Sequence, residues 1–130
     1  MSDNKTILII EDEPLIADMI TQVLAKHGIR CAWNGSASDA LAALKAGTVA
    51  PALIMLDGIL PDMDGWDFMK ALGADESIAP IPIIVMSSLV DFEASQIPKR
   101  VKIVGKLDKP FTPGLLVETV KQALADTVGG

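Results

Sequence analysis

Cysteine, histidine and tyrosine are almost missing from this chain. One cysteine, Cys31, excludes an intramolecular disulfide and a cysteine-built zinc site, and points to a reducing compartment. Tyrosine is absent and aromatics make up 4% of residues, too few for a base-stacking surface. The 11 lysines and arginines form no basic block against 17 acids, and the formal net charge of −6 excludes nucleic acid as the expected direct partner. No apolar run approaches the roughly 18 residues needed to cross a bilayer. The opening Met-Ser-Asp-Asn-Lys lacks the layout of a secretory signal. A soluble, cytoplasmic protein without membrane insertion is therefore expected.

What is present is apolar and regularly spaced. Half of the 130 residues are hydrophobic, enough for one domain with a core of its own. Thr6 to Ile10, Ile29 to Trp33, Leu53 to Asp57, Ile83 to Met86 and Val101 to Leu107 are short runs that read as strands, the last interrupted by Gly105. Between them the apolar residues take helical spacing. One helix runs from Pro14 to Gly28, one from a cap at Ser36 or Ser38 to Gly47, and one from about Gly65 to Leu72. A short helix over Asp91 to Gln96 ends before Pro98. A last helix is capped by Thr112, starts at Pro113 and buries Leu116, Val120, Ala123 and Leu124; Asp126 to Gly130 reads as a frayed tail. Strict alternation of strand and helix predicts a doubly wound α/β fold with a five-stranded parallel sheet.

In such sheets ligands bind outside the carboxyl ends of the strands. The polar residues gather there: Glu11 and Asp12 after the first strand, Asp57 after the third, Ser87 after the fourth and Lys109 after the fifth. Three carboxylates brought together repel one another, and a divalent cation neutralises them. Oxygen donors without cysteine or histidine favour Mg²⁺. A lysine suits phosphate oxygens and a hydroxyl adds a donor. The set describes phosphoryl transfer onto one carboxylate, catalysed by positioning and charge neutralisation. Asp62 and Asp64 read as solvated loop residues, Asp64-Gly65 making the turn. His27 reads as a structural residue at a helix end and Cys31 as a buried strand residue.

From strand one to the last helix the chain resembles the receiver domain of bacterial two-component response regulators. The resemblance is carried by Glu11-Asp12, by Asp57-Gly-Ile-Leu-Pro61-Asp-Met-Asp-Gly65, by Pro82 to Ser87-Ser88 and by Lys109-Pro110-Phe111. It implies a flavodoxin-like fold with strand order 2-1-3-4-5. It further implies that Asp57 accepts a phosphoryl group from a histidine kinase or histidine phosphotransfer protein, and that the chain catalyses hydrolysis of its own aspartyl phosphate. Mg²⁺ would be held by Glu11, Asp12, Asp57 and the backbone carbonyl of Ile59. Ser87 and Lys109 would bind phosphoryl oxygens, and Lys109-Pro110 would be cis. Output would come through a downstream protein docking on the face of the fourth helix, fifth strand and last helix, with room for a homodimer. The expected organisation is a stand-alone receiver over residues 1–130, core about 5–125, without an output domain. Three departures stand out: Lys106 where the family carries an aromatic switch residue, Ser87 where threonine is commoner, and Pro98 shortening the fourth helix. Lys106 reads as a solvated strand-edge residue or as a second cation for the site. Two rival functions are a phosphorylation-independent interaction module and a Mg²⁺-dependent phosphohydrolase.

Overall fold

The computed structural model describes residues 6–58, 60–78, 80–86, 98 and 100–128. Five strands, β1 (Thr6–Ile10), β2 (Arg30–Asn34), β3 (Leu53–Asp57), β4 (Pro82–Met86) and β5 (Lys102–Lys106), form one parallel sheet in the order β2-β1-β3-β4-β5. The described helices are α1 (Pro14–Ala25), α2 (Ala37–Ala46), α3 (Gly65–Ala74) and α4 (Pro113–Val128). The flavodoxin-like order expected from the sequence is the one observed. The short helix expected over Asp91 to Gln96 lies outside the described residues, so α4 is the last helix of the sequence reading.

The alternation of side chains along each strand explains why helices cover both faces. Leu8, Ile10, Ile54, Leu56, Ile83 and Val85 point to one face and pack with Leu41, Leu44, Phe68, Met69 and Leu72 of α2 and α3. Ile7, Ile9, Leu53, Met55, Ile84 and Met86 point to the other and pack with Ala17, Ile20 and Leu24 of α1 and Leu116, Val120 and Ala123 of α4. β3 is buried along its whole length, which explains its unbroken apolar run. Phe68 is fully buried, whereas Trp66 lies half-buried against the same core.

Several ends differ from the sequence reading. Helix α3 continues through Gly73 to Ala74 instead of stopping at Leu72. Its end is held by Arg100, whose guanidinium donates to the carbonyls of Asp75 at 2.9 Å and Ile78 at 2.7 Å. Gly73 is required there, because a Cβ at this position would lie 2.7 Å from the Pro98 Cβ. Helix α4 reaches Val128, beyond the tail expected from Asp126. Gly105 does not break β5; the register skips a residue between Ile103, paired with Ile83, and Gly105, paired with Ile84.

The caps also sharpen the reading. Ser36 is the α2 cap and accepts from the Asp39 N–H at 3.2 Å. Asp62 and Asp64 are exposed, as expected of loop residues, but both are caps. Asp64 accepts from the Asp67 N–H at 2.9 Å and starts α3. Asp62 reaches across to α2, accepting from the Ala37 N–H at 3.2 Å, the Ser38 N–H at 2.9 Å and the Ser38 hydroxyl at 2.7 Å. These bonds hold its carboxyl below the usual range and tie the loop after β3 to the next layer. Asp62→Ala is expected to lower stability by about 1 kcal/mol, the usual worth of a helix cap, read as a lower urea midpoint at unchanged slope.

Candidate functional site

Register places the site. β1 and β3 are neighbours, with Ile10 opposite Leu56, so the chain leaves the sheet side by side at Glu11 and Asp57. Glu11 is fully buried and Asp57 is 5% exposed, the buried charged residues of the described chain. Asp12 beside them is exposed. One carboxylate oxygen from each of Glu11, Asp12 and Asp57 lies within 4.8 Å of the others.

Lys109, half-buried after β5, bridges two of these groups. Its Nζ donates to Glu11 Oε1 at 2.7 Å and to Asp57 Oδ2 at 3.2 Å. The peptide bond that follows it, to Pro110, is cis. Glu11 is also held by its main chain. Its N–H donates to the Asn34 carbonyl at 3.2 Å, and its carbonyl accepts from the Trp33 indole Nε1 at 2.7 Å. Its second carboxylate oxygen, Oε2, accepts from the Glu13 N–H at 3.2 Å.

Charge balance explains the protonation behaviour. Burial pushes the Glu11 carboxyl up from 4.5 to about 7, and the nearby Asp57 charge adds to the rise; the Lys109 bond opposes it without cancelling it. For Lys109, burial works against the ammonium, but the bond to Glu11 and the charges of Glu11 and Asp57 outweigh it, so its affinity for the proton rises. One ammonium against three carboxylates leaves the cluster short of positive charge. All the donors are oxygens, as hard cations require, so the residues fit Mg²⁺.

Glu11, Asp12, Asp57 and Lys109 are thus brought together as the sequence led one to expect. Ser87 and Ile59 lie outside the described residues. Lys106 is exposed at the end of β5 and its Nζ lies 3.7 Å from Asp108 Oδ1, an ion pair in solvent. This is the strand-edge arrangement of the sequence reading. Cys31 is half-buried, where the sequence reading expected a buried residue, and that burial pushes its thiol up to about 11, away from the thiolate form. Sequence reasoning missed Trp33. Its position at a strand end was legible, but its bond to Glu11 joins residues 22 apart and has no local signal.

Comparison with known proteins follows the same lines. The sequence model for the response regulator receiver domain matches residues 7–121. The DNA-binding response regulator MtrA of Mycolicibacterium smegmatis is 33% identical over 118 residues, covering 91% of this chain and 50% of that protein. The phosphate regulon transcriptional regulatory protein PhoB of Pseudomonas aeruginosa is 32% identical over 126 residues, covering 97% of this chain and 54% of its own. The chain spans about half the length of these relatives. Among solved structures, a CheY-like response regulator receiver domain protein from Methanospirillum hungatei superposes with TM-score 0.81 at 25% identity, covering 98% of each chain. The chemotaxis response regulator CheY4 of Vibrio cholerae gives 0.77 at 27% identity, covering 93% of this chain and 99% of that one. Sheet order, the carboxylates at the ends of β1 and β3, and these likenesses agree, and the chain belongs to the response regulator receiver domain family of two-component signalling.

Proposed function

We propose that Asp57 is the phosphoacceptor, charged by a histidine kinase or a histidine phosphotransfer protein. One observation carries the reading: a nearly buried carboxylate at the carboxyl end of β3 has a lysine ammonium 3.2 Å from Oδ2 and two further carboxylates beside it. In the transfer, an Asp57 oxygen forms a bond to phosphorus as the P–N bond of the phosphohistidine breaks, its electron pair returning to the imidazole nitrogen. Lys109 balances charge on the phosphoryl oxygens. Later attack by water breaks the O–P bond, restores the carboxylate and releases inorganic phosphate. Glu11, Asp12 and Asp57 would hold Mg²⁺, which when bound would offset the negative charge of carboxylates and phosphoryl group. The Ile59 carbonyl as a further ligand, and the Ser87 hydroxyl as a phosphoryl donor, rest on the family resemblance alone.

Phosphorylation would then shift a pre-existing equilibrium toward the state that binds a downstream protein. A second reading is favoured by Lys106. A charged residue paired with Asp108 in solvent cannot repeat the burial of an aromatic ring, so a phosphorylation-independent interaction module is the alternative. The two separate on whether phosphorylation of Asp57 changes partner affinity.

Incubation with acetyl phosphate should give a single phosphoryl adduct by intact-mass spectrometry, dependent on Mg²⁺ and absent from Asp57→Asn. An adduct of equal size in Asp57→Asn would place the acceptor elsewhere.

The raised Glu11 pKa gives two pH effects of fixed sign. A carboxyl that titrates at about 7 when folded and 4.5 otherwise stabilises the metal-free fold most below pH 4.5, and that contribution is lost as pH rises to about 7. Mg²⁺ must displace the same proton, so its affinity should climb by up to roughly tenfold per pH unit below pH 7 and level off above. Calorimetric titration from pH 5.5 to 8.5 checks this, and Glu11→Gln should flatten the profile while weakening binding.

A further inference from the structure

β2 supplies no ligand and no phosphoryl-binding group, yet its last two residues hold the main chain of Glu11 on both sides. The Glu11 N–H is bound by the Asn34 carbonyl at 3.2 Å, a continuation of the β1–β2 ladder. The Glu11 carbonyl is bound by the Trp33 indole N–H at 2.7 Å. That carbonyl belongs to the peptide joining Glu11 to Asp12, so its direction sets where Asp12 begins. The Glu11 side chain has its own restraints in Lys109 and the Glu13 N–H. Asp12 is exposed, and among the described residues no hydrogen bond or ion pair holds its carboxylate. Its aim must come from the backbone.

We propose that Trp33 is a positioning residue for the metal: by fixing the Glu11–Asp12 peptide it directs the Asp12 carboxylate at the cation that Glu11 and Asp57 share. The proposal rests on the reading that Glu11, Asp12 and Asp57 hold Mg²⁺. Two features support it beyond the bond itself. The ring is 46% exposed, so burial of its apolar surface is a poor reason for tryptophan at this place. Indole is also a donor without acceptor capacity, matched to a carbonyl and unable to compete for the cation. Groups that orient metal ligands commonly change affinity by 10–100-fold when removed.

The test compares wild type, Trp33→Phe and Asp12→Asn by Mg²⁺ calorimetry, with thermal unfolding in EDTA alongside. Trp33→Phe keeps a ring and loses the N–H. It should weaken Mg²⁺ binding by roughly tenfold with a metal-free unfolding temperature close to wild type. In acetyl phosphate labelling the Mg²⁺ concentration for half-maximal rate should rise, while the rate at saturating Mg²⁺ stays unchanged. If Trp33→Phe fails to fold, β-(3-benzothienyl)alanine at position 33 in a Trp66→Phe chain removes the N–H from a ring of the same size. Unchanged Mg²⁺ affinity in the N–H-free protein overturns the proposal and leaves the metal site standing. A wild-type protein that binds no Mg²⁺, or Asp12→Asn binding as well as wild type, overturns the metal site and the proposal with it.

Discussion

Three carboxylates at the ends of two adjacent strands face a single lysine, and this imbalance governs the site. Oxygens of Glu11, Asp12 and Asp57 lie within 4.8 Å of one another. At such separations each like-charge pair costs roughly 3 kcal/mol for an effective dielectric near 20. A chain free to relax would move these groups apart. They stay together because the strands that carry them are locked: β1 and β3 are central, parallel and enclosed by apolar layers on both faces. The folding energy of the two cores thus keeps a charge arrangement that the site could not hold alone. Glu11 relieves part of the cost by keeping its proton up to about pH 7, and Lys109 relieves another part by bridging Glu11 and Asp57. A divalent cation and a phosphoryl group are the remaining partners such an arrangement calls for.

The chain around the cluster and at the far edge of the sheet is held by polar bonds between neighbouring elements. Asp62, five residues after Asp57, caps α2 with a carboxylate that the bonds from Ser38 and Ala37 hold below the usual range. At the opposite, amino edge of the sheet, Arg100 gathers the carbonyls beyond the end of α3. Asn34 and Trp33 grip the main chain of Glu11. Each bond joins segments distant in sequence, and those of Asp62, Asn34 and Trp33 fix the carboxyl edge of the sheet where the cluster sits.

Much of this was legible in the chain. Short β-branched runs ending in acids gave the strands and the edge where they end. Helical spacing, with prolines at the starts and glycines at the stops, gave the helices between them. Glu11, Asp12, Asp57 and Lys109 were readable because chemistry of one kind recurs at successive strand ends. What was not readable depends on contacts across the fold. Asp62 is a loop aspartate like many others until Ser38 is seen opposite it. Helix α3 outlasts Leu72 because Arg100, far along the chain, holds its end and Gly73 admits Pro98. Nothing in the sequence around Trp33 names Glu11, 22 residues away. Lys106 was readable as a departure from its family, and its ion pair with Asp108 shows a charge in solvent.

Thermal unfolding of wild type and Asp57→Asn, each in EDTA and in saturating Mg²⁺, measures the charge imbalance directly. At pH 8, above the point where Glu11 gives up its proton, removing one of the three negative charges should raise the unfolding temperature in EDTA by about 3–8 °C, on the order of 1–2 kcal/mol. Mg²⁺ should then stabilise wild type strongly and the variant weakly. A variant less stable than wild type in EDTA, or equally stabilised by Mg²⁺, would contradict the claim that carboxylate repulsion at this edge is what the cation relieves.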